Sequence, residues 1–283
     1  MVINNYKTFE EIENHLQITS FVVGIPSGEV IDTPYEIYKK LRSHQLIKYN
    51  AKIDAFTYSD HNYAKVCKIA MDDKKVQQIE FQLAVLGITK YEIIHNYTVD
   101  VFENVDISQR NLPRIPVKFR RIVGDFDCSY NKLNNLTNSP EEVTGLFDCS
   151  LNGLYSIVGG PKIVRNGYYC SDNNLTDLEG FPLEVYKVFD AERNNLKTLK
   201  GTPEILLCKD FDVSQNKLVN LYDGPKKGFN FNCSHNQIVT LENGVLELKG
   251  IFDCTYNKLK TLKGKPKCGI LRYNVGNKVN DNE

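Results

Sequence analysis

The chain is poor in the features that most quickly assign a job to a protein. No run of about 18 apolar residues is present to cross a bilayer as a helix. The opening Met-Val-Ile-Asn-Asn-Tyr-Lys-Thr has no apolar signal-peptide core. Both absences lead to the expectation of a cytosolic chain that does not enter a membrane. Net charge is missing too, since 35 basic residues balance 35 acidic ones among 283, so composition offers nothing to draw a nucleic acid. The eight cysteines contain no Cys-x-x-Cys pair, which argues against a zinc site, and the expected reducing compartment argues against disulfides. The stretch Gly24 to Gly28 holds two glycines and a serine but lacks the lysine and spacing of a phosphate loop, and is read as a turn. No metal and no cofactor are expected.

What the chain has in abundance is a period. Ile107, Cys128, Cys149, Cys170, Ala191, Val213, Cys233 and Cys254 follow one another at spacings of 21, 21, 21, 21, 22, 20 and 21. Three residues after each comes Asn131, Asn152, Asn173, Asn194, Asn216, Asn236 or Asn257, with Arg110 in the first repeat. Two residues before each stands Val105, Phe126, Phe147, Tyr168, Phe189, Phe211, Phe231 or Phe252. Two aliphatic columns follow, one through Leu112, Leu133 and Leu154 to Leu259, the other through Ile115, Leu136 and Ile157 to Leu262. A unit this short cannot bury its own apolar face, so neighbours must stack and each column must run through a shared interior. The asparagine column is expected to hydrogen-bond backbone groups that the tight turns leave unpaired. The cysteine column is expected to be a file of small buried apolar side chains, since alanine and valine stand in for it. The prolines Pro140, Pro161, Pro182, Pro203, Pro225 and Pro266 fall on the return side, which is expected to be extended or tightly turned rather than helical.

Written as one line, Phe-x-Cys-x-x-Asn-x-Leu-x-x-Leu resembles the leucine-rich repeat over about residues 101 to 268, with aromatic and cysteine replacing its first two leucines. The variant with Asp before the cysteine, Ser after it and a Gly-x-Pro turn, as at Gly201 to Pro203 and Gly264 to Pro266, is similar to leucine-rich-repeat proteins of large tailed bacteriophages. That resemblance implies a curved solenoid with parallel strands on its concave face, and a host cytoplasm as its place of work. It brings no activity with it.

The expected architecture is therefore a small α+β or mostly helical domain over 1–96, a β-rich leucine-rich-repeat solenoid of about eight repeats over 97–270, and a C-terminal cap with a frayed tail over 271–283. In the first part, Thr8 to Glu11 reads as a capping box leading into Ile12 and Leu16. Thr33-Pro34 reads as a helix start before Ile37 and Leu41. Phe21 to Ile25 reads as a strand, and Asp73 to Leu86 as a helix with Val76, Ile79, Leu83 and Leu86 on one face and Gly87 as its stop. His44, His61 and His95, with Asp54, Asp60 and Cys67, match no known catalytic spacing and are read as surface groups.

The candidate binding surface lies in the repeats. Asp106, Asp127, Asp148, Tyr169, Asp190, Asp212, Asn232 and Asp253 sit between the aromatic and cysteine columns. Ser108, Ser129, Ser150, Ser171, Glu192, Ser214, Ser234 and Thr255 follow the cysteines. Strand alternation predicts that both columns share the exposed concave face. Two uses compete: Asp and Ser hydrogen-bond between repeats and keep the sheet soluble, or the acidic file docks a basic protein segment, with Tyr130, His235 and Tyr256 as aromatic anchors. The late lysines, from Lys197 to Lys267, lie on turns, and the Asp file repels phosphate, so a nucleic-acid partner ranks last. Two further functions stay open: an effector or enzymatic activity in the N-terminal domain, and a structural part of a virion. The oligomeric state is left undetermined.

Overall fold

The computed structural model describes residues 21–24, 30–33, 48–50, 55–57, 73–94 and 97–279. The expected helices beginning near Thr8 and Pro34, the loop after Gly24, and His44, Asp54, Asp60, His61, Cys67 and His95 lie outside the described residues. The chain divides into two compact units, residues 1–85 with 91–99, and residues 86–90 with 100–283.

In the first unit Phe21–Gly24 forms the expected strand, antiparallel to Val30–Thr33 and parallel to Ala55–Thr57, in the sheet order 30–33, 21–24, 55–57, 48–50. Asp73–Leu86 is the expected helix. Val76, Leu83 and Leu86 are buried along one stripe, Ile79 is half-buried beside them, and Gly87 ends the helix with φ +80°.

The second unit is a parallel β-solenoid of about eight turns. Its main sheet has nine parallel strands in chain order from Val105–Asp106 to Ile270–Arg272. The strands pair in register, so Phe126 lies beside Phe147, Phe147 beside Tyr168, Tyr168 beside Phe189, and so on to Phe252 beside Leu271. Register is set by the interior, because a slip of one residue would carry every phenylalanine to solvent. The rings follow one another at centroid separations of 4.9 to 5.8 Å from Phe126 to Phe252, stacked, tilted or edge-on, and all are buried. Each such side chain contributes roughly 1.5–3 kcal/mol by burial, and each ring pair about 0.5–1.5 kcal/mol more.

The return side is extended, as expected, and carries a second set of two- to four-residue strands. Phe119–Ile122, Glu142–Val143, Ile163–Val164 and Glu184–Val185 pair in parallel. Farther on, Lys227–Gly228 pairs with Glu247–Leu248, while Ile205 makes only an isolated bridge to Lys227. On the outside of the first group Arg121, Glu142, Arg165 and Glu184 alternate in sign at 3.0 to 3.5 Å.

The asparagines hold the turns. Asn173 Nδ2 donates to the carbonyls of Cys149, Cys170 and Ser171 at 3.1 to 3.2 Å, while its Oδ1 accepts from Leu154 N at 3.0 Å. Its equivalents repeat this pattern, so each amide ties its own turn to the preceding one. Asn277 continues it into a partial ninth coil, accepting from Leu259 N and donating to Cys254 O. In the first coil Arg110 takes the asparagine position and donates to Leu86 O and Asp106 O.

The residue before each of these positions is left-handed: Gln109, Tyr130, Leu151, Asp172, Arg193, Gln215, His235 and Tyr256 have φ of 51–54°. A non-glycine residue there costs roughly 1 kcal/mol or more, and the asparagine bonds offset it. Gly276 occupies the same place before Asn277, at φ +77°, and a Cβ there would lie 2.5 Å from Tyr256 Cα.

Candidate binding surfaces

The Asp column lies on the main sheet as expected, in register: Asp106 beside Asp127, Asp127 beside Asp148, Asp148 beside Tyr169, Tyr169 beside Asp190, Asp190 beside Asp212. Asn232 and Asp253 continue it and Arg272 ends it. Adjacent strands lie about 4.8 Å apart. Asp106 is exposed, and the carboxylates from Asp127 on are half-buried.

The serine column corrects the expectation. Ser129, Ser150, Ser171, Ser214 and Ser234 are buried, with 4 to 7% of their surface accessible. The strand ends at each Asp, and the chain then turns over that carboxylate rather than alternating onward. Asp Oδ1 accepts the amide two residues ahead within its own coil: Ser108, Ser129, Ser150, Glu192, Ser214 and Thr255 N at 2.8 to 3.0 Å. Asn232 does the same for Ser234 N at 3.1 Å. The serine or threonine hydroxyl adds a second bond at Ser108, Ser150 and Thr255. The Asp–Ser pairing is thus a turn closure inside each coil, not a tie between repeats.

Electrostatics differ along the file. The Ser108 hydroxyl and N–H hold Asp106 below its ordinary carboxylate value. Burial raises Asp148, with Asp127 adding to the effect. Burial, with Asp212 and Glu192 as like charges, lifts Asp190 to about 6. Beyond Asp190 the charges are answered: Asn232 Nδ2 donates to Asp212 Oδ2 at 2.8 Å, and Arg272 stands 3.7 Å from Asp253. Around Asp212, with Asp210, Asn230, Ile251 and Asp253, the sheet face has a depression of about 300 Å³.

The expected aromatic anchors do not form one cluster. His235 and Tyr256 stack at 4.2 Å on adjacent coils. Tyr130 is 57% exposed in the left-handed column, but Leu151, Asp172, Arg193 and Gln215 stand between it and that pair. Tyr169 is half-buried on the sheet face. Its ring leans across Gly167, where a Cβ would meet Cε2 at 2.7 Å. Sequence inspection passed over Arg193 and Asp172 of the left-handed column, joined as a bidentate pair at 2.7 and 2.8 Å. Their opposite charges one repeat apart were the available signal.

The cysteine file is buried throughout its length. Each Sγ donates to a carbonyl of the next coil, as Cys170 does to Asp190 O at 3.2 Å, and burial pushes the thiols up, to about 12 at Cys254. A thiol held so far above neutrality is a poor nucleophile. Cys208 is also buried. Cys268 follows Val185, Leu206, Gly228 and Leu248 in the apolar position of the second set of strands, and is half-exposed. Among the described residues no group of three or more His, Cys, Asp or Glu side chains is disposed to hold a metal ion. No helix among them is long and apolar enough to cross a membrane.

The late lysines serve different partners. Lys226 Nζ donates to the carbonyls of Tyr222, Asn243 and Gly244. Lys200 pairs with Glu179 and Lys263 with Glu242, both at 2.7 Å.

Taken together, periodic parallel strands, internal aromatic and cysteine files and an asparagine ladder define a β-solenoid that carries a half-buried row of carboxylates on its main sheet. No family model, curated protein or solved structure matches the chain.

Proposed function

We propose that this is a protein-interaction solenoid of the leucine-rich-repeat kind, encoded by a tailed bacteriophage, which holds an extended basic segment of a host protein along its Asp file. The observation that carries the reading is the section from Asp127 through Asp148 and Tyr169 to Asp190. There in-register, half-buried carboxylates each close a turn with one oxygen and, among the described residues, make no ion pair with the other. Such a file is electrostatically incomplete, and a lysine or arginine at alternate positions of an added peptide would answer it. Tyr169 supplies an aromatic face for one such cation.

Asp→Asn substitution tests this better than charge reversal, because Asn232 shows that an amide closes the same turn. The triple variant Asp127→Asn, Asp148→Asn, Asp190→Asn should fold as the parent does. Immobilised beside it in lysate of the bacterial host, the parent should retain a basic protein that the variant releases. Equal retention by both would remove the Asp file from the function.

A further inference from the structure

An irregularity in the middle of the repeats builds a second surface, of opposite sign. In most coils the apolar residue of the second set of strands precedes the internal aromatic by four positions: Ile122 and Phe126, Val143 and Phe147, Val164 and Tyr168, Val185 and Phe189, Leu248 and Phe252. Leu206 precedes Phe211 by five, and Gly228 precedes Phe231 by three, as Cys268 does Leu271 in the last coil. The spacings of 22 and 20 therefore arise at this corner alone, as an extra residue in one coil beside a missing residue in the next. The position between Leu206 and Leu248 is also a glycine, half-exposed where both of those leucines are buried. A Cβ on it would already touch both leucines, at 3.3 and 3.4 Å.

The result is a depression of about 460 Å³ with Gly228 in its lining. Its apolar walls are Ile205, Leu207 and Phe229, which are 59, 53 and 40% exposed. Lys209, Lys227 and Lys249 also line it. Glu247 answers Lys227 at 3.5 Å, while Lys209 and Lys249 make no ion pair among the described residues. The size lies within the range of about 300–1,000 Å³ for ligand sites. The exposure of its walls is too great for a small molecule, which such sites enclose over most of its surface. An apolar surface bordered by unanswered cations suits a polypeptide that brings aliphatic side chains between carboxylates.

We propose that this corner is a second docking site, for an acidic peptide segment carrying exposed aliphatic residues, independent of the Asp file on the main sheet. The test uses the full chain and a short fluorescein-labelled peptide alternating glutamate and leucine, followed by anisotropy. Saturable binding is expected. It should weaken at least about tenfold, roughly 1.4 kcal/mol, both in the pair Lys209→Glu, Lys249→Glu and in the pair Ile205→Ser, Leu207→Ser. All four side chains are exposed, so the fold should survive, as circular dichroism would verify. Asp127→Asn on the main sheet should leave binding unchanged, which separates this site from the one proposed above. A peptide with serine for leucine should not bind, and any binding of one with lysine for glutamate should be lost on Asp127→Asn, Asp148→Asn, Asp190→Asn and kept in the two variants of this corner. Absence of saturable binding, or equal binding by the lysine variant, would overturn the proposal. Co-sedimentation with phosphatidylserine vesicles, lost in the lysine variant while the peptide fails to bind, would overturn it in favour of an anionic membrane surface.

Discussion

Among the described carboxylates Asp190 is pushed furthest above its ordinary value, and its neutralisation should stabilise the protein. Its Oδ1 accepts from Glu192 N at 2.9 Å, a bond that an amide oxygen reproduces, as Asn232 does for Ser234 N. Asp190→Asn thus removes the charge and keeps the turn. Burial and the neighbouring Asp212 and Glu192 lift the carboxyl from 3.8 to about 6. At 1.36 kcal/mol per pKa unit that displacement is about 3 kcal/mol, which solvent screening of a half-exposed group reduces to about 1–2 kcal/mol. Because the folded-state value lies above the unfolded one, the folded chain holds the proton more tightly. The penalty is absent below pH about 4, grows from there to about 6 and is complete above. Urea unfolding of parent and variant should therefore show the variant more stable by about 1–2 kcal/mol at pH about 7.5, with the gap closing by pH about 4. A variant less stable at neutral pH, or a gain that does not change with pH, would refute the assignment of strain to this charge.

Two stability predictions address the interior. Asn194→Ala removes an amide that donates to Cys170, Ala191 and Glu192 carbonyls and accepts from Leu175 N. The buried groups it leaves should cost about 2–4 kcal/mol in denaturant titration, and a loss under about 1 kcal/mol would show that water replaces the ladder. Tyr168 carries a buried hydroxyl beside the Cys149 thiol, with no nitrogen or oxygen partner among the described residues, in a column where most other coils have phenylalanine. Tyr168→Phe should raise stability by about 1 kcal/mol, and a lowered unfolding midpoint would mean that the hydroxyl is satisfied.

The division between what could be read in advance and what could not follows the range of the interactions. The period, the internal columns, the structural role of Asn131 to Asn257, the burial of the cysteine file and the helix from Asp73 to Leu86 were all legible, because each depends on residue type recurring at a fixed spacing. The burial of Ser129 and its equivalents was not, because alternation holds only while the strand lasts, and the strand stops where Asp127 bonds the amide two residues on. The left-handed residues at Tyr130, His235 and Tyr256 were equally hidden, since none is glycine and their geometry depends on the asparagine that follows. The spacings of 22 and 20 were visible as numbers, yet only the structure shows that the added and the missing residue face each other at one corner and open a depression there. By itself the sequence determined that the repeats stack and which side chains line the interior, because a repeat of about 21 residues has no other means of burying its apolar face. Tertiary structure decided which polar residues remain at the surface and where charges go unanswered, because exposure and ion pairing are set by neighbours in adjacent coils rather than by neighbours in the chain.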